Sequence, residues 1–294
     1  MKKRKTTIIM VLLFFMGLLI LLYPSISDFH NQKVQSKSIV DYEALLKNIN
    51  NDEYEEIFKD ADEYNKKLAK LSNQFFNYKS VKNYKKTLNI DDNGMMGYIS
   101  IDKIKVELPI YHGTSEDVLS KAVGHIEGSS LPVGGIGTHS VLSAHRGLPS
   151  SLLFTNLDKL EIGDVFTITT LNRTLTYQVD KILIVSPKEI TSLKIDKNND
   201  YVTLVTCTPY GINTHRLLVR GKIIENIKEK LFVTTEAFKI SAFVVTPIVS
   251  IPMIITLLIS IIFKPVTNKR KIKEKYIYPN KNKSLEVKKN EKKG

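Results

Sequence analysis

The sequence predicts a mostly β fold: a closed barrel of seven or eight short strands with short helices inserted, a helical lead-in, and two flanking transmembrane helices. Three observations predict it. From Met95 to Ile223, short β-branched and aromatic runs alternate with Gly, Pro, Asn and Asp punctuation. From Val40 to Leu88, apolar residues recur instead at three- and four-residue spacing. Two uncharged apolar runs, each beside a basic stretch, bracket both regions.

The N-terminus, residues 1–5, is basic through Lys2, Lys3, Arg4 and Lys5. Ile8–Tyr23 carries no charge, and with its neighbours it makes a segment, 6–26, long enough to cross a bilayer. The competing reading is a cleaved signal peptide ending at the weak small-x-small site Ser25-Ile26-Ser27. Pro24 beside that site, and an apolar run longer than the usual core of about 7–15 residues, favour an uncleaved anchor. Residues 27–93 form the helical lead-in. Its stripe Tyr54, Ile57, Phe58, Ala61, Tyr64, Leu68 and Leu71 is a packing face for the next domain.

The barrel occupies 94–230. Its strands are expected at Gly97–Ile101, Val106–Tyr111, Ser140–Ala144, Val165–Leu171, Thr174–Val185, Val202–Cys207 and Arg216–Ile223. One short helix should start at Thr114, with Asp117 as an acidic capping-box partner, and another near Ser150–Leu160. Such a series of short strands reads as a closed or nearly closed barrel. A second uncharged run, Ile240–Phe263, follows; Pro247 and Pro252 are tolerated inside a membrane. The tail 264–294 is basic.

Charge placement excludes one function class. The formal net charge is +13, of which +4 lies in Lys2–Lys5 and +9 in 264–294, where twelve Lys/Arg face three Glu. Everything from Thr6 to Phe263 is therefore formally neutral. A nucleic-acid reader carries its basic stripe on the folded domain, so no nucleic-acid partner is expected. Basic flanks stay in the cytoplasm, so the chain is expected to cross the cell membrane twice, with both termini cytoplasmic and about 28–238 outside.

The outer region contains the chain's single cysteine, Cys207. One thiol makes no internal disulfide, and outside the cell it has no protective reducing pool. Two readings stay open on the residues alone: a small buried hydrophobe, or a nucleophile. Other motifs fail. Asn89–Gly94 starts like a calcium loop, but its twelfth position is Ser100 where a Glu is needed. No phosphate loop and no dinucleotide fingerprint occur. His139 and His145 lack the partners of a metal site, and no cofactor is expected. His112 and His125 read as satisfied structural histidines.

A constellation remains. His145 sits where the strand HSVLSA gives way to the loop HRGLPSS, and Cys207 ends YVTLVT in the same way. Arg216 opens the strand after TPYGINTH, so a hairpin can return it beside the cysteine. Acyl transfer by a thiol needs a thiolate, an acid for the departing amine, and positive charge where an oxyanion develops. Cys207, His145 and Arg216 are the candidates for those roles in that order.

The stretches TLVTCTPYGINTHRLLVRG, SVLSAHRGLPSSLLFTNLDKL and MGYISIDKIKVELPIYHGTSEDVLSKAVGHIEGSSLPVGG resemble the class C, pilin-polymerising sortases of Gram-positive bacteria. The resemblance runs from about Gly94 to Gly221. It implies a closed eight-stranded sortase-type barrel with a catalytic Cys207, His145 and Arg216. It also implies cleavage between Thr and Gly of an LPxTG-like sorting signal, with an acyl-thioester on Cys207 passed to an amine, usually a pilin lysine. A housekeeping sortase, which anchors surface proteins to the cell-wall precursor, shares this chemistry and differs in acceptor. A non-catalytic membrane-tethered scaffold is the third reading. One feature departs from the class. Its members usually carry a lid with an Asp-Pro-aromatic motif, yet no proline lies between Val40 and Asn93, and Phe75 and Phe76 in SNQFFNY lack an acidic partner. The lid is built differently, or the groove is open.

Overall fold

The computed structural model describes residues 2–225 and Ile254. Apart from Ile254, the second apolar run and the basic tail lie outside the described residues. Two compact units are distinguished, Phe15–Val233 and a second that joins Met1–Phe14 to Thr234–Gly294. The first contains the barrel.

Helix α1 runs from Lys2 to Leu46 with Pro24 inside it. From Ile8 it is long and apolar enough to cross a membrane, the one such helix among the described residues. The expected boundary at residue 26 is therefore not a break in the chain. Pro24 removes one backbone donor, a loss that an apolar helix absorbs. Beyond it the helix docks by polar contacts on the first unit. Leu152 N donates to Asp28 Oδ1 at 2.8 Å, Asn31 Nδ2 to Ser150 O at 2.7 Å, and Gln35 Nε2 to Lys121 O at 2.8 Å. Further on, the buried Tyr42 hydroxyl donates to Met96 O at 3.0 Å and accepts from Leu171 N at 2.9 Å.

Helix α2, Asn51–Ala69, opens with a full capping box: Asn50 Oδ1 accepts from Glu53 N at 2.9 Å, and Glu53 Oε2 accepts from Asn50 N at 3.2 Å. The expected stripe is its inner face, with Tyr54, Phe58, Ala61, Tyr64 and Leu68 buried against the barrel core. A short turn of helix, α3 (Gln74–Asn77), precedes the barrel.

The strands are β1 Met95–Ile101, β2 Val106–His112, β3 Val123–His125, β4 Thr138–Ser143, β5 Val165–Thr170, β6 Arg173–Val185, β7 Asp200–Thr208 and β8 His215–Ile224. They close in the order β1-β2-β3-β4-β7-β8-β6-β5. The β2–β3 and β4–β7 pairs are parallel and the others antiparallel. Side chains alternate across each strand. Met96, Ile99, Ile110, Leu142, Phe166, Val202, Leu204 and Val219 belong to the buried barrel core.

Three local expectations are corrected. Strand β3 has only three residues, Val-Gly-His, too few to show alternation. Helix α4 spans Glu116–Leu119 with Ser115 as its N-cap and no side-chain cap bond, so the box proposed at Thr114 does not form. Near Ser150–Leu160 only a single 3-10 turn, Leu157–Lys159, is present. The rejected calcium loop is a turn into β1, held by Gly94 N on Asn89 Oδ1 at 2.9 Å and Met95 N on Asn93 Oδ1 at 2.7 Å.

Two buried histidines tie the barrel together as neutral groups. His125 lies 2.9 Å from the Tyr84 hydroxyl and 2.8 Å from Ser130 O. His139 lies 2.9 Å from Lys194 O and 2.7 Å from the Thr203 hydroxyl. Burial pushes each pKa down to about 4 from the ordinary 6.5. Between those values the unfolded chain binds protons that the folded imidazoles refuse. Their stabilising effect is complete above pH 6.5 and is lost as pH falls toward 4, by up to about 1.4 kcal/mol per pH unit for each histidine. Denaturant unfolding of the full-length protein in micelles, from pH 7 to 4.5, checks this. His139→Gln should flatten the slope by about one proton; an unchanged slope would show that His139 titrates normally.

Candidate active site

Strands β4, β7 and β8 form one stretch of wall, and strand alternation sorts its side chains. On β7, Val202 and Leu204 point into the barrel core, whereas Val205 belongs to a separate cluster with Val141, Leu193 and Leu218. That cluster lies on the outer face. Cys207 is two residues beyond Val205 and shares its side of the strand. Arg216 is two residues before Leu218 and shares that face of β8. The register pairs Cys207 directly with Arg216, as it pairs Val205 with Leu218. Directly opposite residues on one face of an antiparallel pair have Cβ atoms about 4.5–5.5 Å apart. The hairpin brings the arginine to the cysteine, as its spacing in the sequence suggested.

His145 comes to the same place by the parallel pair. Ser143 of β4 pairs with Val205 of β7. The chain continues extended, with Ala144 N donating to Val205 O at 3.2 Å and the Thr206 hydroxyl donating to Ala144 O at 2.8 Å. Two residues past Ser143, His145 is level with Cys207 and has the outward parity of Val141 and Ser143. All three candidates therefore sit at one end of the outer wall. Cys207 and Arg216 are half-buried. His215, next to Arg216 in sequence, has the opposite parity on β8 and is exposed, with its ring 3.0 Å from the Thr214 hydroxyl.

Arg216 is already partly fixed. Its Nη1 donates to Asn213 O at 3.1 Å and His215 O at 3.0 Å. Among the described residues, its Nε and Nη2 groups make no hydrogen bond and face no carboxylate. Guanidinium has five N–H donors in a planar fork, so this leaves donors for a ligand.

Two neighbours were not singled out in the sequence. Glu116 on α4 places Oε2 3.6 Å from His145 Nε2, an exposed carboxylate beside the imidazole. Arg146, next to His145, pairs with Asp158 at 2.5 Å, donates to the Thr208 hydroxyl at 3.3 Å and lies 5.9 Å from the Tyr210 ring centroid. It ties the loop that carries His145 to the loop that follows Cys207. Gly147 permits this closeness: at φ +78 a Cβ would lie 3.0 Å from the Tyr210 ring. Adjacency to His145 was the available signal for Arg146; Glu116 gave none, because α4 had to be placed first.

The outer wall is not bare. Phe75 of α3 packs on the Val141, Leu193, Val205 and Leu218 cluster, with Ile126, Leu183 and Val185 around it. Its backbone lies over Gly128, where a Cβ would be 3.3 Å from Phe75 Cα. Phe76 points to solvent. Phe75 thus packs on the outer wall without an acidic partner, against Val205 and Leu218, which lie two residues along their strands from Cys207 and Arg216.

No group of three or more His, Cys, Asp or Glu side chains is placed to hold a metal ion among the described residues.

Residues 99–224 match the Sortase domain family. Sortase D of Bacillus subtilis is 32% identical over 129 residues, which is 43% of this chain and 62% of that protein's length, so the match leaves more than a third of that relative uncovered. The crystal structure of sortase C1 from Streptococcus agalactiae is 51% identical, with a TM-score of 0.59, covering 65% of this chain and 99% of that one. Sortase C of Clostridium perfringens, solved with the C-terminal cell wall sorting motif, is 46% identical with a TM-score of 0.57, covering 65% of this chain and all of that one. A chain with this barrel, this half-buried lone thiol and these neighbours belongs to the sortase family of cysteine transpeptidases, with class C sortases as its structural neighbours.

Proposed function

We propose that Cys207, His145 and Arg216 are the catalytic residues of a transpeptidase that cleaves an LPxTG-like sorting signal between Thr and Gly and passes the acyl group to an amine, most directly a pilin lysine. The observation that carries this reading is the pairing of Cys207 with Arg216 across β7 and β8, with His145 level with them on the outer wall. The Clostridium perfringens relative solved with a sorting motif supports the substrate class. A class C neighbour 39% identical, sortase C1 of a pilus island, supports the pilin acceptor.

The steps follow from the groups present. The Cys207 thiolate attacks the threonine carbonyl carbon, forming the C–S bond and placing negative charge on oxygen. Arg216 Nε and Nη2 are the donors available for that charge. As the Thr–Gly C–N bond breaks, His145, protonated, gives its proton to the departing amine. An incoming neutral amine then attacks the thioester and loses a proton to His145, and the C–S electron pair returns to sulfur. Glu116, 3.6 Å from the imidazole, positions the ring for both transfers. Helix α1 holds the barrel at the membrane surface, and Ile240–Phe263 makes the second crossing of a two-pass protein whose catalytic domain faces outside.

The test uses full-length protein in micelles with a sorting-signal peptide. Cys207→Ala should remove cleavage entirely, because no other thiol is present. Arg216→Lys keeps the charge and loses the fork, so single-turnover acylation should slow by about 10²-fold with little change in peptide affinity. Acylation of Arg216→Lys at the normal rate would remove Arg216 from the chemistry. Cleavage that persists in Cys207→Ala would remove the thiol mechanism itself.

A further inference from the structure

The contacts that dock α1 on the barrel unit follow one another along the helix, and the first lies next to its apolar half. Leu152 N donates to Asp28 Oδ1, then Asn31 Nδ2 to Ser150 O, then Gln35 Nε2 to Lys121 O and to the Ser151 hydroxyl. The other carboxylate oxygen of Asp28 accepts from Gln32 Nε2 at 2.8 Å, so the group that holds Leu152 is itself oriented. All of these residues belong to the unit Phe15–Val233.

The helix rise sets how far that first contact lies from lipid. Residues 6–26, at about 1.5 Å each, span about 31 Å, the thickness of a hydrocarbon core. Asp28 then stands about 3 Å and Asn31 about 7.5 Å beyond the core, where the polar headgroup layer is about 5–7 Å deep. Tilting the helix shortens both rises. The Ser150–Leu152 segment, bonded to these two side chains, therefore falls at headgroup level.

The side chains offered at that level are apolar. Leu152 is 47% exposed, although Leu153 and Phe154 beside it are buried. On α1, Ile26 and Phe29, before and after Asp28, are 60% and 52% exposed. Asp28 is the only Asp, Glu, Lys or Arg from Thr6 to Gln32, and its carboxylate is already answered by two amide donors. Single exposed apolar side chains are ordinary on a soluble surface. These three are set apart because they continue an apolar helix that nothing in the chain covers.

We propose that the loop after His145 seats on the bilayer surface, with Leu152 and Phe29 entering the headgroup layer. The partner is the lipid itself. This contact rests on the reading of α1 as a membrane anchor, and adds which surface of the barrel unit meets the membrane. The loop is short and tied across its base: Phe154 N donates to His145 O at 3.1 Å, and Leu148 and Ser151 form a bridge. His145 is thereby held within one tied loop of the lipid.

The chain has no tryptophan, so one introduced indole reports its own surroundings. Full-length Leu152→Trp, a change at an exposed position, is reconstituted in phosphatidylcholine nanodiscs with and without lipid carrying a nitroxide on its headgroup. Its emission should be largely quenched. Ile136→Trp is the control, since Ile136 is exposed and precedes β4, whose six residues put about 20 Å between it and the end that leads into His145. Its emission should scarcely change. Leu19→Trp, within the apolar helix, tests the anchor separately through lipid brominated on its acyl chains. Quenching of Leu19→Trp, with Leu152→Trp quenched no more than Ile136→Trp, would overturn the loop contact and leave the anchor standing. An unquenched Leu19→Trp would overturn both. None of these readouts depends on Cys207 chemistry.

Discussion

The register between β7 and β8 is the constraint on which the rest of the molecule depends. A slip of one residue would turn Cys207 into the barrel and bring Leu204 out. Burial forbids it: Leu204 and Val219 are wholly inside and pair with each other across the two strands. The same alternation that fills the core therefore fixes Cys207 and Arg216 on the outer wall. The parallel β4–β7 pair extends this constraint to His145, since Leu142 and Leu204 are both buried and opposite one another. A hairpin pair and a histidine from a distant strand come to one stretch of wall because apolar neighbours on the other face cannot move.

The helices hold this wall at a defined place on the chain. Helix α1 emerges from its apolar half without interruption and meets the protein through Asp28, Asn31, Gln35 and Tyr42. Asp28 and Asn31 bind the loop at Ser150–Leu152, which follows His145, so the anchor and the candidate acid are linked by a few residues. Helix α2 buries its stripe in the barrel core, and the turn after it delivers Phe75 to the outer cluster. The polar half of α1 and the Phe75 side chain thus pack on the same unit as the candidate site.

Much of this was legible in the sequence where a residue type or a period carries the signal. The stripe from Tyr54 to Leu68 marks a packing face by its spacing, and seven of the eight strands are visible as short apolar runs. Cys207, His145 and Arg216 stand out because each sits at the end of such a run. The remainder depends on contacts between distant segments. Strand β3 is too short for alternation and exists because β2 and β4 flank it. Glu116 is an ordinary surface acid until α4 is set beside His145. The Thr114 box failed because Ser115 begins the helix one residue later, a shift that local preference does not decide. Phe75 lacked the expected acid, and only the apolar cluster beneath it shows that it still covers the wall.

The most direct test of the account is a disulfide. In the full-length chain, Arg216→Cys places a second thiol opposite Cys207, at a separation within the roughly 4.4–6.8 Å between Cα atoms that a disulfide spans. Mild oxidation should join the two cysteines rapidly, as read by mass spectrometry of the linked peptides, while Leu217→Cys, whose side chain lies on the other face, should not cross-link. Cross-linking of Leu217→Cys with none for Arg216→Cys would show that β7 and β8 are paired in another register and would contradict the outer-wall site.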